Sequence, residues 1–329
     1  MKKRDFVGLG IATAALQALG MRPAQSQGKY PNKPIRLVIP FAPGGETDTI
    51  GRKWGNAVGP YLGESIVVEN RPGAGGMNGS ASVLRDPADG YTILCGQTTT
   101  HVINPIAMTK PPYDPLKDFF PICMISTSPA VIVANPKVAN TLAELVAYAK
   151  ANPGKLSYGT AGAGTISNLS GELFKLKAGG LDIPHIAYKG GAPALADLMG
   201  GHIPMASLLL SSPLIGQHRS GKCRILAVTS SKRIAAMPDV PTAMEAGIPD
   251  MLVMVVNVLF GRAGIPREAI DTLVQVTQKA KATEQFRKDI GSAGAELVEE
   301  SSPEKAREFI RSEIERWRPV IKQVGFKVE

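Results

Sequence analysis

The sequence predicts an α/β fold with two lobes, each a mostly parallel sheet flanked by helices. Three observations lead to this prediction. A unit of short apolar strand, glycine-rich loop and helix occurs four times. A long apolar segment, FFPICMISTSPAVIVANP, separates the first two units from the last two. The chain after residue 265 has the apolar periodicity of helices.

The first two units precede residue 125. IRLVI (35–39) leads into PFAPGGETDTIGR, in which PGG (43–45) predicts a sharp turn and TD (47–48) the start of a helix. IVVE (66–69) leads into NRPGAGG and the helical NGSASVLRD. Turns of this kind point backbone N–H groups beyond the strand end, and that arrangement suits an anion.

The last two units follow the long apolar segment. Thr141 as N-cap and Glu144 as its capping-box partner predict a helix before the third strand. LSY (156–158) then leads into GTAGAGT and a helix, and HIAY (185–188) leads into KGGAP and another helix. Ligands of such sheets lie beyond the carboxyl ends of the strands, so we expect an anion cleft lined from both lobes.

The remaining chain is expected to return to the first lobe. CRILAVTSS (223–231) predicts the returning crossover, and MLVMVVNVLFG (251–261) predicts a buried strand. These features divide the chain into a first lobe of residues 27–124 and 240–329 and a second lobe of residues 125–239. The last helix should dock on the first lobe through one apolar stripe. The stripe consists of Ala306, Phe309, Ile310, Ile314, Trp317 and Ile321.

Residues 1–26 are typical of a secretory signal peptide. MKKRDF is basic, VGLGIATAALQALG is a short apolar stretch, and AQS supplies small residues for cleavage near Ser26. The apolar part is too short to span a membrane. We therefore expect a periplasmic protein that begins near Gln27. Lys3 and Arg4 leave open whether export follows the general or the twin-arginine route.

Composition argues against nucleic acid as a partner. The chain has a formal net charge of +9, but its basic residues are scattered, and aromatic residues make up 5%. No apolar stretch beyond the signal approaches the roughly 20 residues of a membrane span. These features favour a soluble monomer that binds a small molecule.

Three cysteines occur at positions 95, 123 and 223, each in an apolar, strand-like context. Their spacing fits no zinc site, and an odd number cannot pair completely. Buried free thiols are therefore expected. A bridge between Cys95 and Cys123 remains open in an oxidising compartment.

The motifs of catalysis are missing from the sequence. It contains neither a G-x-S-x-G elbow nor a P-loop, and its four histidines form no i, i+4 pair for a metal. GAGGMNG (73–79) imitates a dinucleotide loop, but an exported protein meets no pool of that cofactor. We therefore expect no catalytic residues, no metal and no cofactor. An exported α/β enzyme acting on a small anion remains the alternative.

Several motifs together resemble one family. These are PFAPGGETDTIGR, YTILCGQTTTHVINP, YDPLKDFFPI, LSYGTAGAGT, IAYKGGAPALADLMGG and ILAVTSSKRIAAMPDVPTAMEAG. They are similar to the Bug-type, TctC-like substrate-binding receptors of tripartite tricarboxylate transporters, over essentially all of residues 30–329. The resemblance implies a type II periplasmic-binding-protein (Venus flytrap) fold. It also implies a ligand among di- or tricarboxylates, amino acids and aromatic acids, delivered to membrane transporter subunits.

The resemblance also implies which residues line the cleft. Backbone amides and ordered waters of the glycine loops would hold the ligand carboxylates. The residues carried over are Phe41, Ala42, Gly45, Asp48, Ala74, Gly75, Thr98, Thr160, Gly162, Thr165, Ser167, Lys189 and Gly190.

The chain departs from the family pattern at several positions. At the position of Glu46, similar proteins of the family have Gly, Ser or Pro. In this chain, Glu46 places an acid beside the expected anion site. Asn168 replaces a usual His, Pro204 a frequent Asp, and Val256 a usual Trp. Because Glu46 would repel a bare carboxylate, it favours ligands that also carry a hydrogen-bond donor. A receptor that signals to a membrane kinase is the alternative to transport.

Overall fold

The computed structural model describes residues 30–328, which form ten strands and ten α-helices. The predicted signal peptide and its cleavage site lie outside these residues. The strands are β1 Ile35–Ile39, β2 Ile66–Asn70, β3 Thr92–Gln97, β4 Phe119–Ala134, β5 Tyr158–Thr160, β6 His185–Ala187, β7 Met205–Leu209, β8 Arg224–Val228, β9 Met254–Arg262 and β10 Glu296–Leu297. The helices are α1 Glu46–Leu62, α2 Met77–Val83, α3 Asn104–Ala107, α4 Leu142–Ala151, α5 Ile166–Lys177, α6 Gly191–Gly200, α7 Ser212–Arg219, α8 Arg267–Lys281, α9 Glu284–Ser292 and α10 Pro303–Gln323.

The first lobe is built on a sheet with the strand order β2-β1-β3-β9-β4. β1 pairs in parallel with β2 and β3, as the strand–loop–helix units predict. β9 inserts between β3 and β4 and is antiparallel to both, and β10 adds a short antiparallel pair to β4. The sheet is therefore mixed, and the expectation of mostly parallel pairing holds only for the strand–loop–helix units.

The second lobe repeats this plan. β5 pairs in parallel with β6 and β7, whereas β4 is antiparallel to both β7 and β8. The parallel strands come from units in which a helix carries the chain back to the start of the next strand. Every antiparallel pair of named strands except β3–β9 involves β4.

The strand β4 belongs to both lobes. Its residues 119–129 pair with β9, and its residues 130–134 pair with β7 and β8. The apolar segment predicted to join the lobes is therefore one continuous strand. The return path lies beside it, because Thr229 N–H donates to Ala130 O at 2.9 Å and Val253 N–H donates to Thr229 O at 3.1 Å.

The lobe boundaries remain a prediction, and we propose moving the second one from residue 240 to about residue 252. Val228 pairs with Thr242 in an isolated bridge. Ala243, Ile248 and Met251 pack in the second-lobe core with α4 and β8. The chain joins the first-lobe sheet only at β9.

The last helix, α10, buries the predicted stripe. Ala306, Ile310, Trp317 and Ile321 are buried, and Phe309 and Ile314 pack partly against the same cluster. That cluster contains Val102 and Phe260 of the first lobe, so the predicted docking is confirmed. It also contains Leu169 and Leu173 of α5, so the cluster extends into the second lobe.

The three cysteines are buried, and their thiols are free. The expectation of free thiols is confirmed, and Cys95 and Cys123 form no bridge. Within residues 30–328, no helix is both long and apolar enough to cross a membrane.

Candidate functional site

The loop between β1 and α1 is shaped by Asp48. Its carboxylate accepts the Gly44 N–H at 2.9 Å, across a turn in which Gly44 has φ +80°. It also accepts Arg52 Nε and Asn70 Nδ2, each at 2.9 Å. Asp48 thus holds the loop and the start of α1 in place, and its carboxylate is occupied by the first lobe itself.

Four helices begin around one cavity between the lobes, which we call the Glu46 cavity. The space inside it that a water-sized molecule can occupy is about 30 Å³, so a larger ligand requires the walls to move apart. The starts of α1, α5, α6 and α7 line it, so four positive helix ends face a common space. Its wall consists of Phe41, Gly44, Gly45, Glu46, Thr47, Gln97, Thr99, Ala161, Thr165, Ile166, Ser167, Gly191, Ala192, Leu195, Leu208, Leu209, Ser211 and Leu214.

Glu46 is the one ionisable side chain in the wall of this cavity. It is 5% exposed, and its Oε1 accepts Ser128 Oγ at 2.8 Å and Asn257 Nδ2 at 2.7 Å. Its Oε2 accepts Thr47 Oγ1 at 3.2 Å. Burial raises the pKa of the Glu46 carboxyl to about 7, although these three hydrogen bonds oppose the rise. Near neutral pH, the side chain therefore exists in both protonation states.

A second cavity lies between the glycine loops and is called here the Lys189 cavity. The first lobe contributes the turn of residues 73–76, in which Ala74 has φ +46° and the three glycines also have positive φ. The second lobe contributes Gly162, Tyr188 and Lys189. Phe41 and Ala161 line both cavities and lie between them.

The lobes contact each other beside these cavities. Ile166 N–H at the start of α5 donates to Thr99 Oγ1 of the first lobe at 3.0 Å. A Cβ on Gly75 would lie 2.9 Å from Ala163 O, and one on Gly190 would lie 2.8 Å from Ala42 Cβ. At these two contacts, glycine permits an approach that any side chain would block.

Hydrogen bonds also order the glycine loop that follows β5, GTAGAGT (159–165). Thr160 Oγ1 donates to Gly162 O at 3.2 Å, accepts its N–H at 3.1 Å, and lies 2.7 Å from His185 Nε2. Thr165 caps α5 by accepting the N–H of Asn168. Thr160 therefore supports the loop instead of facing the cleft.

Comparison with known proteins identifies the family. Residues 50–326 match the family model TctC, described as the tripartite tricarboxylate transporter family receptor. The chain belongs to this family. The resemblance expected from the sequence motifs is thereby confirmed.

The TctC-family receptor has relatives with similar sequence and structure. It is 34% identical to protein BugT of Bordetella pertussis over 98% of this chain and 97% of that protein. The structure of the periplasmic binding protein BugD has 33% identity and a TM-score of 0.86 over 91% of this chain and 99% of BugD. An R. palustris protein with adipate has 31% identity and a TM-score of 0.87 over 91% and 99% of the two chains. The two-lobed fold of periplasmic binding proteins is therefore established for this receptor.

The residues that the family resemblance implies for the cleft lie in three places in the receptor. Phe41, Gly45, Thr165 and Ser167 line the Glu46 cavity. Phe41 also lines the Lys189 cavity, together with Ala74, Gly75, Gly162 and Lys189. The others lie behind or beside these walls, and they are Ala42, Asp48, Thr98, Thr160 and Gly190.

Thr98 shows why a residue near the cleft need not face it. It is 1% exposed, and its hydroxyl accepts the Val256 N–H at 2.9 Å, which joins β3 to β9. Conversely, sequence reasoning missed Ser128 and Asn257, which hold Glu46. A signal was available, because both are polar residues within apolar strand runs. It did not indicate which group they would bind.

Proposed function

We propose that this receptor binds a small organic acid in the Glu46 cavity and delivers it to a membrane transporter of the tripartite tricarboxylate type, without catalysis. The single observation behind this proposal is the convergence of four helix starts on one cavity between two lobes. Adipate in the R. palustris relative supports a carboxylate as ligand. The description of the family as a transporter receptor supports the partner.

The helix starts and hydrogen-bond donors of this cavity can stabilise a bound anion although no arginine among residues 30–328 lines it. A helix start stabilises an anion by about 0.3–1 kcal/mol when exposed and by up to about 2 kcal/mol when partly buried. A hydrogen bond to a charged group adds about 1.5–3 kcal/mol. Two helix starts and two such bonds can reach the roughly 8 kcal/mol of micromolar binding. Lys189 of the neighbouring cavity would add a weaker, longer-range attraction.

The location of the receptor is part of this proposal. The relative BugD is described as a periplasmic binding protein, and residues 1–26 are typical of a secretory signal peptide. Both support export, with a mature chain that starts near Gln27. We propose that the exported receptor acts as a monomer, since one chain supplies both walls of the cavity.

The experiment is native mass spectrometry of receptor gently purified from periplasmic extract, followed by calorimetry with the acid that it retains. We expect a retained small carboxylate and a Kd in the micromolar range or below. A receptor that carries no carboxylate, and that binds none of a panel of mono-, di- and tricarboxylates, would refute the proposal. An intact Met1 in the extract would refute the export step alone.

A further inference from the structure

We propose that Glu46 is a specificity-determining residue, which receives the ammonium group of an amino-carboxylate ligand with an apolar body. This inference rests on the proposed function and narrows its ligand class. The ligand carboxylate would lie at the starts of α5 and α6, and its ammonium group would lie against Glu46 Oε2.

The hydrogen bonds of Glu46 leave one position open. Oε1 accepts two donors at 2.7 and 2.8 Å, from Asn257 and Ser128, and both acceptor positions of that oxygen are used. Oε2 accepts only the Thr47 hydroxyl, at 3.2 Å. Because Glu46 lines the cavity, Oε2 is the oxygen with capacity for a donor from the ligand.

The charge of Glu46 has no protein cation opposite it. None of the ion pairs among residues 30–328 involves Glu46. The neighbouring Arg52 pairs with Asp48, and Lys189 lines the other cavity. A buried carboxylate is costly without a counter-charge, and an ammonium group of the ligand would supply one.

Three donors to Glu46 also distinguish it from a buried acid that is simply neutral. Ser128, Asn257 and Thr47 all direct hydrogen atoms towards its carboxyl group, and such donors favour the ionised form. Gln97 Nε2 in turn donates to Thr47 Oγ1 at 3.1 Å and holds that hydroxyl in place. The buried thiol of Cys95 on β3 lies near enough for the charge of Glu46 to raise its pKa, and it supplies no positive charge.

The second lobe supplies the opposite recognition. Thr165–Ser167 and Gly191–Ala192 place two helix starts in the cavity, and apart from Ser211 the rest of this part of the wall is mostly apolar. Its apolar members are Ile166, Leu195, Leu208, Leu209 and Leu214. The wall therefore matches a ligand with a carboxylate, an apolar side chain and a separate ammonium group, which is the pattern of an apolar α-amino acid.

The protonation state of Glu46 predicts the direction in which ligand affinity changes with pH. An ammonium ligand binds the ionised form of Glu46, so its affinity should rise by about tenfold from pH 6 to pH 8, where a group with a pKa of about 7 ionises. A plain dicarboxylate binds the protonated form, so its affinity should fall over the same range. Calorimetry in buffers of different ionisation enthalpy would show proton release in the first case and uptake in the second.

The test compares L-leucine, L-isoleucine, L-valine and L-phenylalanine with their deaminated acids and with adipate. We expect at least one amino acid to bind about tenfold to a hundredfold tighter than its deaminated partner, the range for a hydrogen bond between charged groups. Glu46→Gln should remove that preference and the proton exchange, and adipate should bind the variant equally well or better. Ser128→Ala, which removes one donor to Glu46, should weaken amino-acid binding by several fold.

Glu284→Gln is the matched control. Glu284 is also the first residue of a helix, α9, but it is exposed and does not line the cavity, so the ligand preference should stay unchanged. Deaminated acids that bind wild-type receptor as tightly as the amino acids would overturn the inference and leave the proposed function standing. If no acid of this panel binds and no carboxylate is retained, the proposed function itself fails.

Discussion

The two cavities between the lobes differ in the groups that carry their charge. The Glu46 cavity combines helix starts, an apolar wall and one buried acid that is held by three hydrogen bonds. The Lys189 cavity combines a loop of positive-φ residues with a lysine side chain. The first is preorganised by the fold, whereas the second depends on a long, rotatable side chain. From this difference we expect the fixed dipoles of the helix starts to contribute more to ligand affinity than the charge of Lys189 does.

The largest effect should come from filling the Glu46 cavity. A Cβ on Gly45 would lie 3.6 Å from Ala42 O and 3.9 Å from Gly191 N, so the first carbon fits but points at the start of α6. The additional methyl groups of Gly45→Val would then occupy the ligand space between two helix starts. We expect calorimetry to show a loss of about a hundredfold or more, equal to roughly 2.7 kcal/mol.

Gly291→Val is the control for this substitution. Gly291 lies in α9, and a Cβ there would meet no heavy atom within 4 Å. The variant should lose some helix stability and keep its affinity. Normal ligand binding by Gly45→Val would mean that the first loop is only a turn.

An effect of similar size concerns stability instead of affinity, and it depends on the buried acid. Because the pKa of Glu46 is raised from 4.5 to about 7, the folded receptor holds this proton more tightly than the unfolded chain. The free energy of unfolding should therefore decrease by about 3 kcal/mol as pH rises from about 4.5 to about 7, and then level off. Glu46→Gln should remove this decrease in urea unfolding curves at pH 5 and pH 8. An unchanged pH dependence in the variant would assign the effect to other groups.

A smaller effect should follow from separating the lobes at Gly190. Its φ is +155°, and a Cβ would meet Ala42 at 2.8 Å, so Gly190→Ala should hold the first and second lobes apart. We expect about tenfold weaker binding and a smaller decrease in the radius of gyration on ligand addition, measured by small-angle X-ray scattering. Gly221→Ala also substitutes a positive-φ glycine, but with no atom within 4 Å, and it should preserve closure.

The smallest effect should come from the lysine. Lys189→Ala removes a charge from the neighbouring cavity, so we expect a loss of twofold to fivefold, about 0.4–1 kcal/mol, which shrinks at high salt. Calorimetry at low and high ionic strength measures both quantities. A loss as large as that of Gly45→Val would show that the ligand lies in the Lys189 cavity, and it would reverse the comparison.

The sequence was sufficient for the parallel strand–loop–helix units, because strand, glycine turn and helix start are all local signals. It was insufficient for β4, whose length results from partners in both lobes. The same limit applies to the site. The cavity wall at Gly45 and Thr165 follows from local helix starts, but Glu46 is positioned by Ser128 and Asn257, which are 82 and 211 residues away. The resemblance implies Asp48 for the cleft, and the hydrogen bonds that fix its carboxylate come from the loop, Arg52 and Asn70.

The place of β9 in the first sheet sets an order for folding. β9 separates β3 from β4. Leu94 of β3 and Met124 of β4 therefore pair only with residues of β9, which come much later in the chain. Until Met254–Arg262 have been synthesised, the growing chain has two unpaired strand edges that expose backbone N–H and C=O groups. Such distant pairing slows folding. The final quarter of the chain therefore completes the first-lobe sheet.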